Sequence, residues 1–186
     1  KYNKNRYVNL RDYLIGMSEG VSDVDPATKK IISGHWVLVD VIKYLIKDGV
    51  NFDIVGWDWY SDMGDNVHNK TTDEGYVLDL AGTIKSWGKE FWLVEVNRDG
   101  GSFGAKEQEQ AEFISKFATS ALSDEDVKGF LIFSLTDNLI DTDNPTSSLG
   151  LVKGDRDSLN FSEYKPAFSA LQKVISDYKQ GLLRSK

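Results

Sequence analysis

Apolar positions recur along the chain with two alternating periods, one helical and one extended. Tyr7, Leu10, Leu14 and Met17 fall at helical spacing over residues 7–21, and Asp25-Pro26 ends that pattern. Residues 30–35 are a short strand candidate. A helix is predicted over 36–47, with Val37, Val41, Tyr44 and Leu45 on one face and Asp48-Gly49 closing it. Residues 52–57 read as a second strand, followed by a polar loop over 58–72. Thr72-Asp73-Glu74 is expected to open a helix that runs to Ser86. Residues 91–96, Phe-Trp-Leu-Val-Glu-Val, are the clearest strand, and a Gly-rich loop follows over 97–104. The next helix, over 105–122, carries Phe113, Phe117 and Leu122 on its expected buried side. A fourth strand spans 129–135, then come a long loop, an extended piece at 149–152 and a closing helix over 164–178.

The order is one helix and then four strand-then-helix units. Apolar strands alternating with amphipathic helices imply a parallel sheet covered by helices. Two architectures satisfy this: a doubly wound open sheet, or a piece of a (β/α)8 barrel. No Gly-rich phosphate loop follows any strand, and Asp99-Gly100-Gly101 is not a dinucleotide fingerprint. The nucleotide-binding version of the open sheet is weakened accordingly.

Composition narrows the function further. The 186 residues suffice for one domain with its own core. A net charge of −7 argues against nucleic acid or an anionic membrane as partner, since both select clustered Lys and Arg. The absence of cysteine rules out disulfides and thiolate metal sites, and two histidines, His35 and His68, argue against a His-rich one. No cofactor is called for. No stretch approaches the ~20 apolar residues of a membrane span, and the first residues read as mid-domain sequence with no signal peptide.

In parallel α/β sheets, chemistry gathers at the C-terminal ends of strands. Those ends read His35-Trp36, Asp58-Trp59-Tyr60, Glu95-Val96-Asn97 and Thr136-Asp137-Asn138. They hold carboxylates, aromatics and amides without a basic cluster. Strict alternation puts Phe91, Leu93 and Glu95 on one face of their strand. A carboxylate continuing an apolar line is costly to bury without partners, so Glu95 either reaches solvent or is held in a cleft for chemistry. On the preceding strand Ile54, Gly56, Asp58 and Tyr60 share a face. Tyr60 there either donates to Glu95, keeping it ionised as a nucleophile requires, or packs under a loop. Trp57 and Trp59 either stack on sugar rings or pack against a helix, and packing is the better reading of Trp57 alone. His35 either bonds a substrate or nucleophile or is an ordinary satisfied strand-end histidine. Asn97, Asp137 and Asn138 complete the candidate substrate contacts.

At these residues the sequence resembles clan A of the retaining glycoside hydrolases, the (β/α)8 enzymes that include cellulases, mannanases and endo-β-1,4-galactanases. Asp53-Ile54-Val55-Gly56-Trp57-Asp58-Trp59-Tyr60 matches their sixth-strand pattern of Asp, two hydrophobics, Gly and a Tyr four residues on. Trp87-Gly88-Lys89 followed by Phe91-Trp92-Leu93-Val94-Glu95 matches their seventh, and Asn97 stands where galactanase-like members also carry Asn. Gly150-Leu151 and Lys165-Pro166-Ala167-Phe168 fit the tail. The resemblance spans about residues 25–175.

It implies the C-terminal half of a TIM barrel over residues 1–186, strands five to eight with their helices, residues 1–29 being the helix before strand five. It implies Glu95 as nucleophile, Tyr60 as its hydrogen-bonding partner and His35 as an active-site residue. It also implies a β-linked oligo- or polysaccharide substrate and, for a glycanase, a secreted or periplasmic bacterial setting. Two departures stand out. The acid/base Glu of these enzymes ends strand four, usually after Asn, and this sequence, which opens just past that point, contains no Asn-Glu pair. Many members end strand eight with Trp, where this chain has Phe133-Ser134-Leu135-Thr136-Asp137-Asn138. A half barrel has open edges and a bare interior, so an N-terminal half, in the same or a separate chain, is the expected partner. The rival expectations are a non-catalytic carbohydrate-binding or scaffold module and an unrelated open α/β domain.

Overall fold

The computed structural model describes residues 4–35, 38–68, 70–71, 77–140, 143–155, 157–158 and 160–183, without the side chains of 70, 71, 77 and 78. Helix α1 (Lys4–Val24) leads into β1 (Ile31–Gly34), α2 (Val39–Lys47) and β2 (Ile54–Tyr60). A short hairpin, β3 (Lys70–Thr71) with β4 (Val77–Leu78), precedes α3 (Leu80–Ser86). Then come β5 (Glu90–Asn97), α4 (Glu107–Ser123) and β6 (Val127–Ile132). A second hairpin, β7 (Val152–Asp155) with β8 (Asn160–Tyr164), feeds α5 (Pro166–Lys179). Strands β1, β2, β5 and β6 form one parallel sheet in that order.

Burial shows that helices cover one face of this sheet. Val55, Trp57 and Trp59 of β2 and Phe91, Leu93 and Val96 of β5 share a core with Val41, Ile42 and Leu45 of α2, Leu80, Ala81 and Ile84 of α3, and Phe117 and Ala121 of α4. On the other face Ile31, Leu131 and Phe133 remain 44, 45 and 44% exposed. A doubly wound sheet has both faces covered and reverses its strand order. Sequential order with one covered face is instead the layer found in barrels. The sheet does not close on itself; β1 and β6 are its edges. Among the described residues no helix is long and apolar enough to cross a membrane.

Several expectations are corrected. Glu95 does not share a face with Phe91 and Leu93, because β5 carries an extra residue. Trp57 pairs with Leu93 but Asp58 pairs with Glu95, so the register slips at Val94; the β6 side slips between Leu93 and Val96. After this bulge Val96, rather than Glu95, rejoins the helix-side core. On α2 the buried face is Val41, Ile42 and Leu45, while Tyr44 stands 48% exposed and meets Tyr7 edge-on. Helix α3 starts at Leu80, where Asp79 caps Gly82 N; Thr72, Asp73 and Glu74 lie outside the described residues, as do Trp36 and Val37. The extended piece near 149–152 is followed by the β7–β8 hairpin, and Tyr164 ends β8 instead of opening the last helix.

Candidate active site

The bulge turns Glu95 onto the uncovered face, beside the residues of β2 that alternation places there. The Tyr60 hydroxyl donates to Glu95 Oε2 at 3.0 Å. Asp58 sits directly opposite Glu95 in the strand register. His35 follows the end of β1, exposed, close enough to Asp58 to favour its ionised form. Three adjacent strand ends thus bring His35, Asp58, Tyr60 and Glu95 together.

Electrostatics distinguish these groups. Burial, followed by the Glu95 charge, raises the Asp58 carboxyl above the usual carboxylate range, with His35 pulling the other way. Burial and then Glu95 also raise the Tyr60 phenol well above its ordinary value. Tyr60 is therefore a neutral donor at any physiological pH. A phenol that keeps its proton can stabilise the carboxylate beside it and fix the direction in which its free oxygen points. The arrangement holds two acidic side chains, Glu95 oriented by the Tyr60 hydroxyl and Asp58 with its carboxyl raised by burial, beside an imidazole on an open surface.

The other candidates take structural places. Trp57 and Trp59 are 2 and 0% exposed on the helix side, facing away from Glu95. Trp59 stacks on Phe117 of α4 at 5.7 Å and donates Nε1–H to Gly64 O at 2.8 Å. Neither indole is open to a sugar, because both continue the face of Val55. Asn97 is fully buried: its amide donates to Phe133 O and Leu149 O, both at 2.6 Å, and accepts from Arg98 N and Gln110 Nε2. It joins strand ends and offers nothing to a ligand. Asp137 accepts from the buried ammonium of Lys165 at 2.6 Å and from Gly150 N at 2.9 Å. Asn138 is exposed and organises its own loop, accepting from Ile140 N at 2.9 Å.

Three residues outside the expected site set gain roles. Asp58 was marked by its place on the Tyr60 face. Phe133, at the end of β6, donates its backbone N–H to Val96 O beside Glu95 and leaves an exposed aromatic ring near the site; the peptide after it, Phe133–Ser134, is cis. Lys165 is 1% exposed and reaches Ser102 Oγ at 2.9 Å as well as Asp137. Burial lowers its ammonium pKa, which Asp137 partly offsets. No sequence signal short of the tail motif marks that buried cation.

Comparison with solved structures places the fold. Xylanase 10B from Thermotoga maritima matches with a TM-score of 0.61 at 16% identity, over 91% of this chain and 53% of that one. A glucosidase from Croceicoccus marinus matches at 0.63 and 18% identity, over 92% and 36%. The hyperthermophilic β-glucosidase from Pyrococcus furiosus matches at 0.61 and 15% identity, over 97% and 47%. The structural neighbours are xylanases, β-glucosidases and other clan A glycosidases, and the chain spans about half or less of these three. No family model matches the sequence, and neither does any curated protein.

Proposed function

We propose that this chain is the nucleophile-bearing C-terminal half of a retaining β-glycoside hydrolase barrel. One observation carries the reading: the Tyr60–Glu95 hydrogen bond at adjacent strand ends, on a sheet shared with glycosidase barrels. In a double displacement, Glu95 attacks the anomeric carbon while an acid about 5–5.5 Å away protonates the leaving oxygen. The same acid, now a base, activates the water that releases the sugar from Glu95. Tyr60 holds Glu95 as the free carboxylate in the first step and as the leaving carboxylate in the second. Exposed Phe133 offers a flat apolar ring for a sugar's C–H face.

The acid/base group and the rest of the barrel come, in this reading, from the N-terminal half. Exposed Ile31, Leu131 and Phe133 on the inner face support such a partner, as does an exposed apolar stripe on α1 of Leu10, Tyr13, Met17 and Val21. The substrate is a β-linked glycan. To test this, the chain is combined with the N-terminal half of a clan A barrel and assayed on β-linked polysaccharides. Turnover is expected only from the combination, and Glu95→Ala is expected to abolish it. Full turnover by the chain alone, or by the Glu95→Ala combination, contradicts the proposal.

A further inference from the structure

A second polar cluster lies outside the strand-end site, where the connection from β2 to α3 meets the turn from α4 to β6. His68 is held through both ring nitrogens: Nδ1 lies 2.8 Å from Asp79 Oδ1 and Nε2 lies 2.7 Å from Asp124 Oδ2. Asp126 belongs to the same group, since one ligand atom each from His68, Asp124 and Asp126 lie within 4.8 Å of one another. We propose that His68, Asp124 and Asp126 bind a divalent transition-metal ion of the zinc class, with Asp79 supporting the imidazole from behind.

Each part has a chemical reason. Zinc takes imidazole nitrogen and carboxylate oxygen at about 2.0–2.2 Å, which sets tetrahedral ligand atoms about 3.3–3.6 Å apart; the 2.7 Å His68–Asp124 contact opens by under an ångström to admit the ion, and every pair of ligand atoms already lies within 4.8 Å. A metal-bound histidine ordinarily gives its other ring N–H to a carboxylate, which fixes the tautomer. Asp79 already stands at Nδ1, leaving Nε2 for the ion. The local charge also calls for a dication. Asp79, Asp124 and Asp126 contribute three negative charges, and Lys85, 2.6 Å from Asp126 Oδ1, returns one. Glu125, also near Lys85, deepens the deficit. The imidazole selects zinc-like ions over magnesium and calcium, which prefer all-oxygen sets. The ion's role is structural. It ties Asp79, the N-cap of α3, to Asp124, the C-cap of α4.

The test uses the full chain, stripped with EDTA, and does not depend on the glycosidase reading. Calorimetric titration with Zn2+ is expected to give one saturable site and a higher Tm, with no response to Mg2+. At one equivalent the imidazole resonances of His68 should move while those of His35 stay. Asp79→Asn is expected to weaken Zn2+ binding about 10–100-fold, and Asp126→Asn, which removes a charged ligand, to weaken it at least as much. Asp126→Asn keeps both His68 hydrogen bonds, so loss of fold does not cloud it. Absence of saturable Zn2+ binding, a response at His35 instead of His68, or unchanged affinity in Asp126→Asn would overturn the proposal.

Discussion

Val94 is the extra residue that decides where Glu95 points. With strict alternation the Glu95 carboxylate would enter the core beside Phe91 and Leu93, where an unpaired charge is costly. Deleting Val94 is therefore expected to abolish turnover in the combined halves and to lower stability, as read by activity and denaturant unfolding; a deletion variant that keeps both would contradict the bulge argument. Asp58 gives a pH test. Its folded-state carboxyl is raised by burial and by Glu95, so the folded chain keeps that proton to higher pH than the unfolded chain. Stability is thus lost as pH rises from the unfolded value of about 3.9 through the folded one. Asp58→Asn should raise Tm at pH 7 and leave it unchanged at pH 3. Equal gains at both pH values would place the effect elsewhere. The face of Asp58 and Tyr60 was legible from alternation on their strand; Trp57 and Trp59, left open between sugar stacking and helix packing, fall on the opposite, helix-covered face. The bulge that redirects Glu95 leaves no mark in residue type, so its orientation was not legible.

Among elements, the strand-helix order could be read because each unit carries its own period. What could not be read are polar contacts between elements distant in sequence. Lys165 at the start of α5 reaches Asp137 after β6 and Ser102 after β5, and Asn97 reaches across to Phe133 and Leu149. Asp137 and Asn97 looked like ligand contacts because strand-end polar residues often are; their partners were invisible locally. Removing one side of the buried pair tests the reassignment. Asp137→Ala leaves the Lys165 ammonium, 1% exposed, without its carboxylate and should cost about 3–5 kcal/mol in denaturant unfolding. A cost near zero would show that the pair is not holding the β6–α5 connection. The two short hairpins were missed for a related reason: two-residue strands and irregular ones carry too little periodicity to register.

At the scale of the molecule, the described sheet has one helix-covered face and ends in the edge strands β1 and β6. A bare apolar layer seeks a partner. The chain alone is expected to bind a hydrophobic dye such as ANS, and the N-terminal half should suppress that signal as the two associate. Leu131→Asp, which places a charge on the inner layer, should weaken association measured by sedimentation; unchanged association would mean that this face is not the joint. In the proposed function Glu95 forms the covalent bond to the sugar. The combined halves are incubated with a 2-deoxy-2-fluoro glycoside carrying an activated leaving group, which departs without help from an acid, and the peptides are then analysed by mass spectrometry. One glycosyl adduct on the peptide containing Glu95, absent in Glu95→Ala, is the result expected; no adduct, or an adduct on Asp58, would contradict it.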